Sequence, residues 1–239
     1  MNRIEIVCHK GANEYAPENT YAAAQLCLDW GVDYVEVDVR TSQDGVFYMM
    51  HDATVARTTN GQGLLAELSA AELDRLDAGS WFHPRFAEQR VPRLADFLRW
   101  IKGRAKVYLD VKAADPQALL ALLAEVDMME DVFCWSSSDV WALDLRALAP
   151  RVALKINVQS VDDVVRAQEI YRANLIEVGL AHMSEALRSA CQSRGLKVMI
   201  YQQEKDPAAF RAILDWGADL INLNHADAFL EVMRTYQER

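Results

Sequence analysis

A (β/α)8 TIM barrel, somewhat irregular and with a small insertion after the third strand, is the fold class this sequence predicts. Three observations carry the prediction. Short β-branched or apolar runs alternate with amphipathic stretches along the whole chain, as in a mostly parallel sheet with helices outside. The 239 residues show no break in composition, and α/β barrels often reach this length undivided. Charged residues and histidines gather near the C-terminal ends of the runs, where barrels build their sites. A doubly wound sheet shares the first feature, but seven or more β/α units in succession favour the barrel.

The first run, 3–9 (RIEIVCH), ends on His9 and leads into Lys10-Gly11. The second, 34–40 (YVEVDVR), puts Glu36 and Asp38 on one face, because side chains two apart on a strand point the same way. Ser42-Gln-Asp-Gly45 then leaves no room for a helix before the third run, 46–52 (VFYMMHD), which ends on His51-Asp52. A hairpin is expected there, and a symmetric register would set Glu36 opposite His51. Residues 53–91 hold few strand signals, with TTNGQG, DAGSWFHPRF and a short helix announced by the capping box Ser69-Ala-Ala-Glu72. They are expected to form an inserted lid or substrate module within a single domain spanning 1–239.

The fourth run, 106–112 (KVYLDVK), has an aliphatic face of Val107, Leu109 and Val111 and an opposite face carrying Asp110 and Lys112. Charged side chains are rarely buried without a partner, and a buried ion pair is a poor source of stability. These two residues therefore ask for another reason. Further strands are expected at 132–136, 152–158, 175–180, 197–203 and 219–224. Asp115-Pro116 and Asp206-Pro207 each place an N-cap before a proline of the first helical turn, and Gly103, Gly195 and Gly217 stand where helices should stop. The stretch 28–38 (LDWGVDYVEVD) is echoed at 214–224 (LDWGADLINLN). A single pair is too little to claim duplication.

The composition, 51% hydrophobic and 25% charged, is that of an ordinary folded protein. A formal net charge of −10 argues against a general binder of nucleic acid or of anionic membranes, both of which need a cationic surface. Cys8, Cys27, Cys134 and Cys191 form no CxxC pair and lie in apolar patterns, so buried reduced thiols are expected. No signal-like segment precedes the first strand and no apolar run reaches 18 residues, so the cytoplasm is the expected location, with no stable membrane anchor.

Glu36, Asp38 and Asp110 would converge on one cavity, where they repel each other unless something cationic sits between them. A carboxylate set suits Mg²⁺, Ca²⁺ or Mn²⁺ rather than zinc. His9 and His51 at the same rim offer an acid and a base near neutral pH, and Lys112 a charge for an anionic substrate. A metal, an acid/base pair and a lysine together suit attack at a phosphoryl centre.

These residues also resemble a known family. His9-Lys-Gly-Ala, Ala16-Pro-Glu-Asn-Thr20, Val35-Glu-Val-Asp-Val39, Asp44-Gly45, His51-Asp52, Arg57-Thr-Thr-Asn-Gly61 and Val91-Pro-Arg-Leu94 look like the glycerophosphodiester phosphodiesterase pattern. That family lies within the phosphatidylinositol-phospholipase-C-like phosphodiesterase barrels. The resemblance is dense over about residues 6–112 and thin afterwards. It implies a barrel that hydrolyses glycerophosphodiesters to glycerol 3-phosphate and an alcohol. By position it implies His9 and His51 as the acid/base pair, Glu36, Asp38 and Asp110 as ligands of a divalent cation, and Lys112 as a phosphate-binding residue.

The chain also departs from the pattern. The family usually shows His-Arg-Gly where this chain has Lys10, which keeps the charge for the substrate but loses the bidentate fork. The usual Glu-x-Lys of the fourth strand is Asp110-x-Lys112, shorter in reach by about 1.5 Å. Related sphingomyelinase D enzymes carry an aspartate at this place and form cyclic phosphates, which leaves hydrolysis against cyclisation open. Tyr201-Gln202 replaces an aromatic-Thr pair, and Leu223-Asn224-His225-Ala226 replaces Thr-Asp-x-Pro, where the alcohol should be recognised. Glu177, late in its strand, is a candidate to bind a hydroxyl or a cationic group of the substrate, with a solvent-facing rim residue as the alternative. A barrel that binds a phosphorylated ligand without turnover is the non-enzymatic alternative. The expected partner is a small-molecule phosphodiester and not a nucleic acid. A homo-oligomer is compatible with the sequence.

Overall fold

The computed structural model describes residues 3–237. Eight parallel strands close into a ring: β1 (Glu5–Cys8), β2 (Tyr34–Thr41), β4 (Lys106–Ala113), β5 (Val132–Trp135), β6 (Ala153–Asn157), β7 (Leu175–Gly179), β8 (Lys197–Gln202) and β9 (Leu220–Leu223). β9 pairs with β1, and β1 with β2, which completes the (β/α)8 barrel. β3 (Phe47–Met49) lies outside the ring, antiparallel to the end of β2. Helices α1 (Tyr21–Trp30), α2 (Ala70–Leu73), α3 (Leu94–Ile101), α4 (Pro116–Glu125), α5 (Asp139–Leu148), α6 (Val161–Glu169), α7 (Glu185–Gln192), α8 (Pro207–Trp216) and α9 (Ala226–Gln237) occupy the connections. No helix among the described residues is long and apolar enough to cross a membrane.

The alternation along each strand divides the core. Outward positions such as Val35, Val37, Val107, Leu109 and Ile221 pack under the helices in the main cluster. Inward positions Val7, Tyr34, Tyr108, Phe133, Leu175, Met199 and Leu220 fill one end of the barrel, where Tyr108 stacks on Phe133 at 4.5 Å between ring centroids. Burying each of these side chains stabilises the fold by about 1.5–3 kcal/mol. One layer further along each strand, inward positions turn polar while remaining buried: Glu36, Asp38, Asp110, Lys155 and Asn222. The barrel is thus plugged by apolar side chains at one end and lined with charge at the other.

The helix punctuation forms as expected. Both halves of the Ser69–Glu72 capping box are present, and Asp115 and Asp206 accept from Ala118 N and Ala208 N, each at 2.8 Å, ahead of a proline. Gly217 closes α8 in the left-handed region at φ 65°. All four cysteines are buried with free thiols.

The hairpin register differs from the expected one. Val39 faces Met49 and Thr41 faces Phe47, one residue away from a pairing of Glu36 with His51. The cause is the turn: Ser42 N–H donates to Val46 O at 2.9 Å around a loop of Gln43, Asp44 and Gly45, whereas the expected register needs a two-residue loop. β3 also stops at Met49, short of Glu36, which pairs on the other edge of β2 with Tyr108 of β4.

Residues 53–91 hold α2 and two 3₁₀ turns, Leu65–Glu67 and Pro84–Phe86. Val55, Leu65, Ala70, Leu73, Ala78 and Val91 form a small core with Tyr48 and Met50. Asp44 accepts from Ala70 N and Arg93 pairs with Asp74, which ties this segment to the barrel edge.

Candidate active site

β2 and β4 run in register, with Asp38 directly opposite Asp110. Period-two geometry brings Glu36 into the same cavity, and one oxygen from each of the three carboxylates lies within 4.8 Å of the others. Glu36 and Asp38 are fully buried and Asp110 is 8% exposed. Glu36 Oε1, Asp38 Oδ1 and Asp110 Oδ1 are buried without a hydrogen-bond partner. Burial first, and then the Asp38 and Asp110 charges, push the Glu36 carboxyl well up from its usual range. Burial and Asp38 likewise push Asp110 up to about 6, against the pull of Lys112 and Lys155. Glu36 Oε1 and Asp110 Oδ1, with Asp38 Oδ1 beside the Lys112 ammonium, form an all-oxygen set that fits a hard divalent cation.

The loop after β1 shapes this set. Lys10 and Asn19 both take left-handed backbone conformations, at φ 55° and 57°, unusual for residues other than glycine. The Lys10 N–H donates to Glu36 Oε2. Asn19 clasps Asp38 from two sides: its Nδ2 donates to Asp38 Oδ2 at 2.7 Å, and its Oδ1 accepts from Asp38 N at 3.0 Å. Each left-handed residue thus fixes one carboxylate oxygen and leaves the other turned to the cavity.

Both histidines are held at Nδ1. In His9 this atom lies 2.8 Å from Asn224 Oδ1, and in His51 it lies 2.7 Å from Asp52 Oδ1. An amide oxygen and an ionised carboxylate only accept, so each Nδ1 carries the hydrogen and each Nε2 is left for substrate. Burial, then the Lys10 charge, lower the His9 pKa, against the Asn224 hydrogen bond and the Asp38 and Glu177 charges.

Lys112 donates to Asp110 Oδ2 at 2.7 Å and lies 3.2 Å from Asp38 Oδ1. Burial acts against its charge, but these two carboxylates outweigh it and hold the ammonium. The Lys10 ammonium sits 3.7 Å from Glu18 Oε1. Glu177 is turned inward rather than along the rim, its side chain 11% exposed, bonded to Lys155 and accepting from Asn222 Nδ2 at 2.9 Å. The structure therefore gathers His9, Glu36, Asp38, Asp110 and Lys112 at one mouth, with His51 on the adjoining rim. Glu177 belongs to a second polar cluster in the same barrel.

Several residues of this region were not singled out as site residues from the sequence. Lys155 had a visible signal, a charge in the middle of an apolar run (VALKINV). Asn222 and Asn224 occupy, in the internal echo, the places of Glu36 and Asp38. Asn19, Asp52 and Arg57 lie in loop motifs whose contacts depend on distant elements.

A model described as the Glycerophosphoryl diester phosphodiesterase family matches residues 9–228. The chain is similar to a solved structure titled glycerophosphodiester phosphodiesterase from Agrobacterium tumefaciens, at a TM-score of 0.91 and 39% identity, covering 95% of this chain and 99% of that one. It shares its fold with an Oleispira antarctica phosphodiesterase solved in complex with the product sn-glycerol-3-phosphate, at a TM-score of 0.87 and 24% identity, covering 96% of each. The Bacillus subtilis protein YhdW is 35% identical over 135 residues, a match that spans 56% of this chain and 55% of that one.

Proposed function

The chain belongs to the glycerophosphoryl diester phosphodiesterase family, a family of phosphoric diester hydrolases, and on that premise we propose that it hydrolyses small glycerophosphodiesters to glycerol 3-phosphate and an alcohol. The buried triad of Glu36, Asp38 and Asp110, with one oxygen from each gathered within 4.8 Å of one another, carries this reading. These residues would hold a Mg²⁺, Ca²⁺ or Mn²⁺ ion, which supplies charge to draw electrons from a phosphoryl oxygen.

The chain's own side chains do the rest. Lys112 and Lys10 bring positive charge to the anionic diester. His9, whose imidazole burial favours the neutral form, accepts the proton of the attacking water at Nε2. His51, held at Nδ1 by Asp52, takes a second proton at Nε2 before this step, and the imidazolium donates it to the departing alkoxide as the old P–O bond breaks. The Oleispira phosphodiesterase, solved with the product sn-glycerol-3-phosphate, supports glycerol 3-phosphate as the phosphate-bearing product here. Asn222 Oδ1, buried without a partner beside Glu177, is an acceptor for a substrate hydroxyl.

The test is a panel of glycerophosphocholine, glycerophosphoethanolamine and glycerophosphoglycerol followed by phosphorus NMR, with each cation and with chelator. Glycerol 3-phosphate should appear with cation, stop with chelator, and fall about 10²- to 10⁴-fold in His9→Ala. Turnover indifferent to both chelator and His9→Ala would overturn the reading. A cyclic phosphate as the final phosphorus product would replace hydrolysis by internal transfer.

A further inference from the structure

Arg57 joins three separate parts of the rim. Its Nη1 and Nη2 donate to Glu18 Oε2 and Oε1 at 2.9 and 2.8 Å, and its Nε donates to Asp52 Oδ2. The other Asp52 oxygen faces His51 Nδ1. Glu18 lies in the loop between β1 and α1, and Arg57 in the segment that follows β3. Arg40 Nε donates to His51 O at 2.8 Å, so the backbone of the histidine is fixed separately from its ring.

The guanidinium fork uses both of its edges, one on each carboxylate, and a single ammonium cannot reproduce that span. The Arg57 side chain is 44% exposed, and pairs this open contribute little to folding stability. What the fork supplies is geometry. Without it Asp52 can rotate to water, and the His51 ring loses the acceptor that fixes its tautomer and its plane.

We propose that Arg57 is a positioning residue: by clamping Asp52 to Glu18 it holds His51 in the Nδ1–H form with Nε2 turned to the substrate. The hydrogen-bond chain Glu18–Arg57–Asp52–His51 thereby makes the segment after β3 part of the proton-transfer apparatus, although Arg57 touches no reacting atom. This inference rests on His51 as an acid/base residue for its consequence in catalysis, but not for the tautomer it assigns. The charged groups around the ring and its carboxylate include Glu18, Arg40, Asp52 and Arg57, with Lys10 beside Glu18.

Nitrogen-15 NMR of the histidine-labelled full chain tests it, with the His51 signals among the five histidines identified by their loss in His51→Ala. The wild type should show His51 with Nδ1 protonated in its neutral form. In Arg57→Gln and Arg57→Lys the two nitrogens should move toward tautomer averaging. On a turned-over diester, kcat should fall about tenfold with KM changed less than twofold, a fraction of the full acid/base contribution. Adding Asp52→Asn to Arg57→Gln should cost little more, since both cut the same chain. Arg57→Lys keeps the charge and serves if the glutamine variant fails to fold. Unchanged His51 signals in either folded variant would overturn the proposal, including where kcat falls together with the melting temperature. If the wild type turns over no diester, the NMR arm still decides the role of Arg57 while the proposed function alone fails.

Discussion

Lys155 is 1% exposed and carries its charge between the Glu177 carboxylate and the faces of Trp135 and Tyr108, at 4.5 and 5.0 Å from the ring centroids. Removing one member of such a pair leaves the other uncompensated in a low-dielectric interior. Lys155→Met should therefore lower unfolding free energy by about 3–5 kcal/mol. Lys155→Met combined with Glu177→Leu should recover most of it, as read from denaturant midpoints. A double variant no more stable than the single one would show that the pair is not the cause. At this scale the sequence shows that a residue is anomalous but not what satisfies it. Asp110 and Lys155 both stand out as charges inside apolar runs, yet the partner of Lys155 lies 22 residues away on another strand. That contact follows from the pairing of β6 with β7, with Lys155 opposite Leu175 and Asn157 opposite Glu177, which no local window contains.

The two echoed helix-to-strand connections show what an element-level pattern encodes. α1 and α8 both end at a left-handed glycine, Gly31 at φ 73° and Gly217 at φ 65°, and the chain then enters β2 and β9, the two ring strands on either side of β1. Two residues after each glycine an aspartate accepts from the first part of a neighbouring strand: Asp33 Oδ2 from Ile6 N at 2.9 Å, Asp219 Oδ2 from Val198 N at 2.8 Å. Asp219→Ala should cost about 1.5–3 kcal/mol, the range for hydrogen bonds to charged groups. Hydrogen exchange should show faster exchange at Val198 while the opposite side of the barrel stays protected. The strands, the echo and the stop at Gly217 were legible because each is written in local periodicity and turn residues, whereas the two aspartate contacts reach across to a neighbouring strand. The β2–β3 register was not, because one extra loop residue shifts it and the sequence of the turn admits either length.

Across the whole molecule, the layer above the apolar plug concentrates four carboxylates, Glu36, Asp38, Asp110 and Glu177, against two ammoniums, Lys112 and Lys155. Glu36 and Asp110 bind protons more tightly folded than unfolded, so with chelator present their contribution to stability is complete below the unfolded pKa near 4. It is lost as pH rises through about 6, where Asp110 ionises in the folded state. A divalent cation bound at the triad would take the place of those protons, so its stabilising effect should be small at pH 5 and large at pH 8. At a hundredfold excess over its dissociation constant the gain is about 2.7 kcal/mol, or roughly 5–10 °C in melting temperature. Melting curves with cation and with chelator at the two pH values measure it, and an equal shift at both would exclude the triad as the binding site.

The ring is closed by β9 against β1, with His9 N–H donating to Leu223 O at 3.0 Å and the His9 ring held by Asn224. The acidic triad is complete once residue 110 has been made, but the first histidine is oriented only by a residue that emerges from the ribosome more than a hundred positions later. On the proposed mechanism, one of the two proton carriers is therefore aligned only after the sequence of the whole triad has been made. On that mechanism catalytic competence would arrive with the last seam of the barrel, which would make turnover itself a reporter of finished folding.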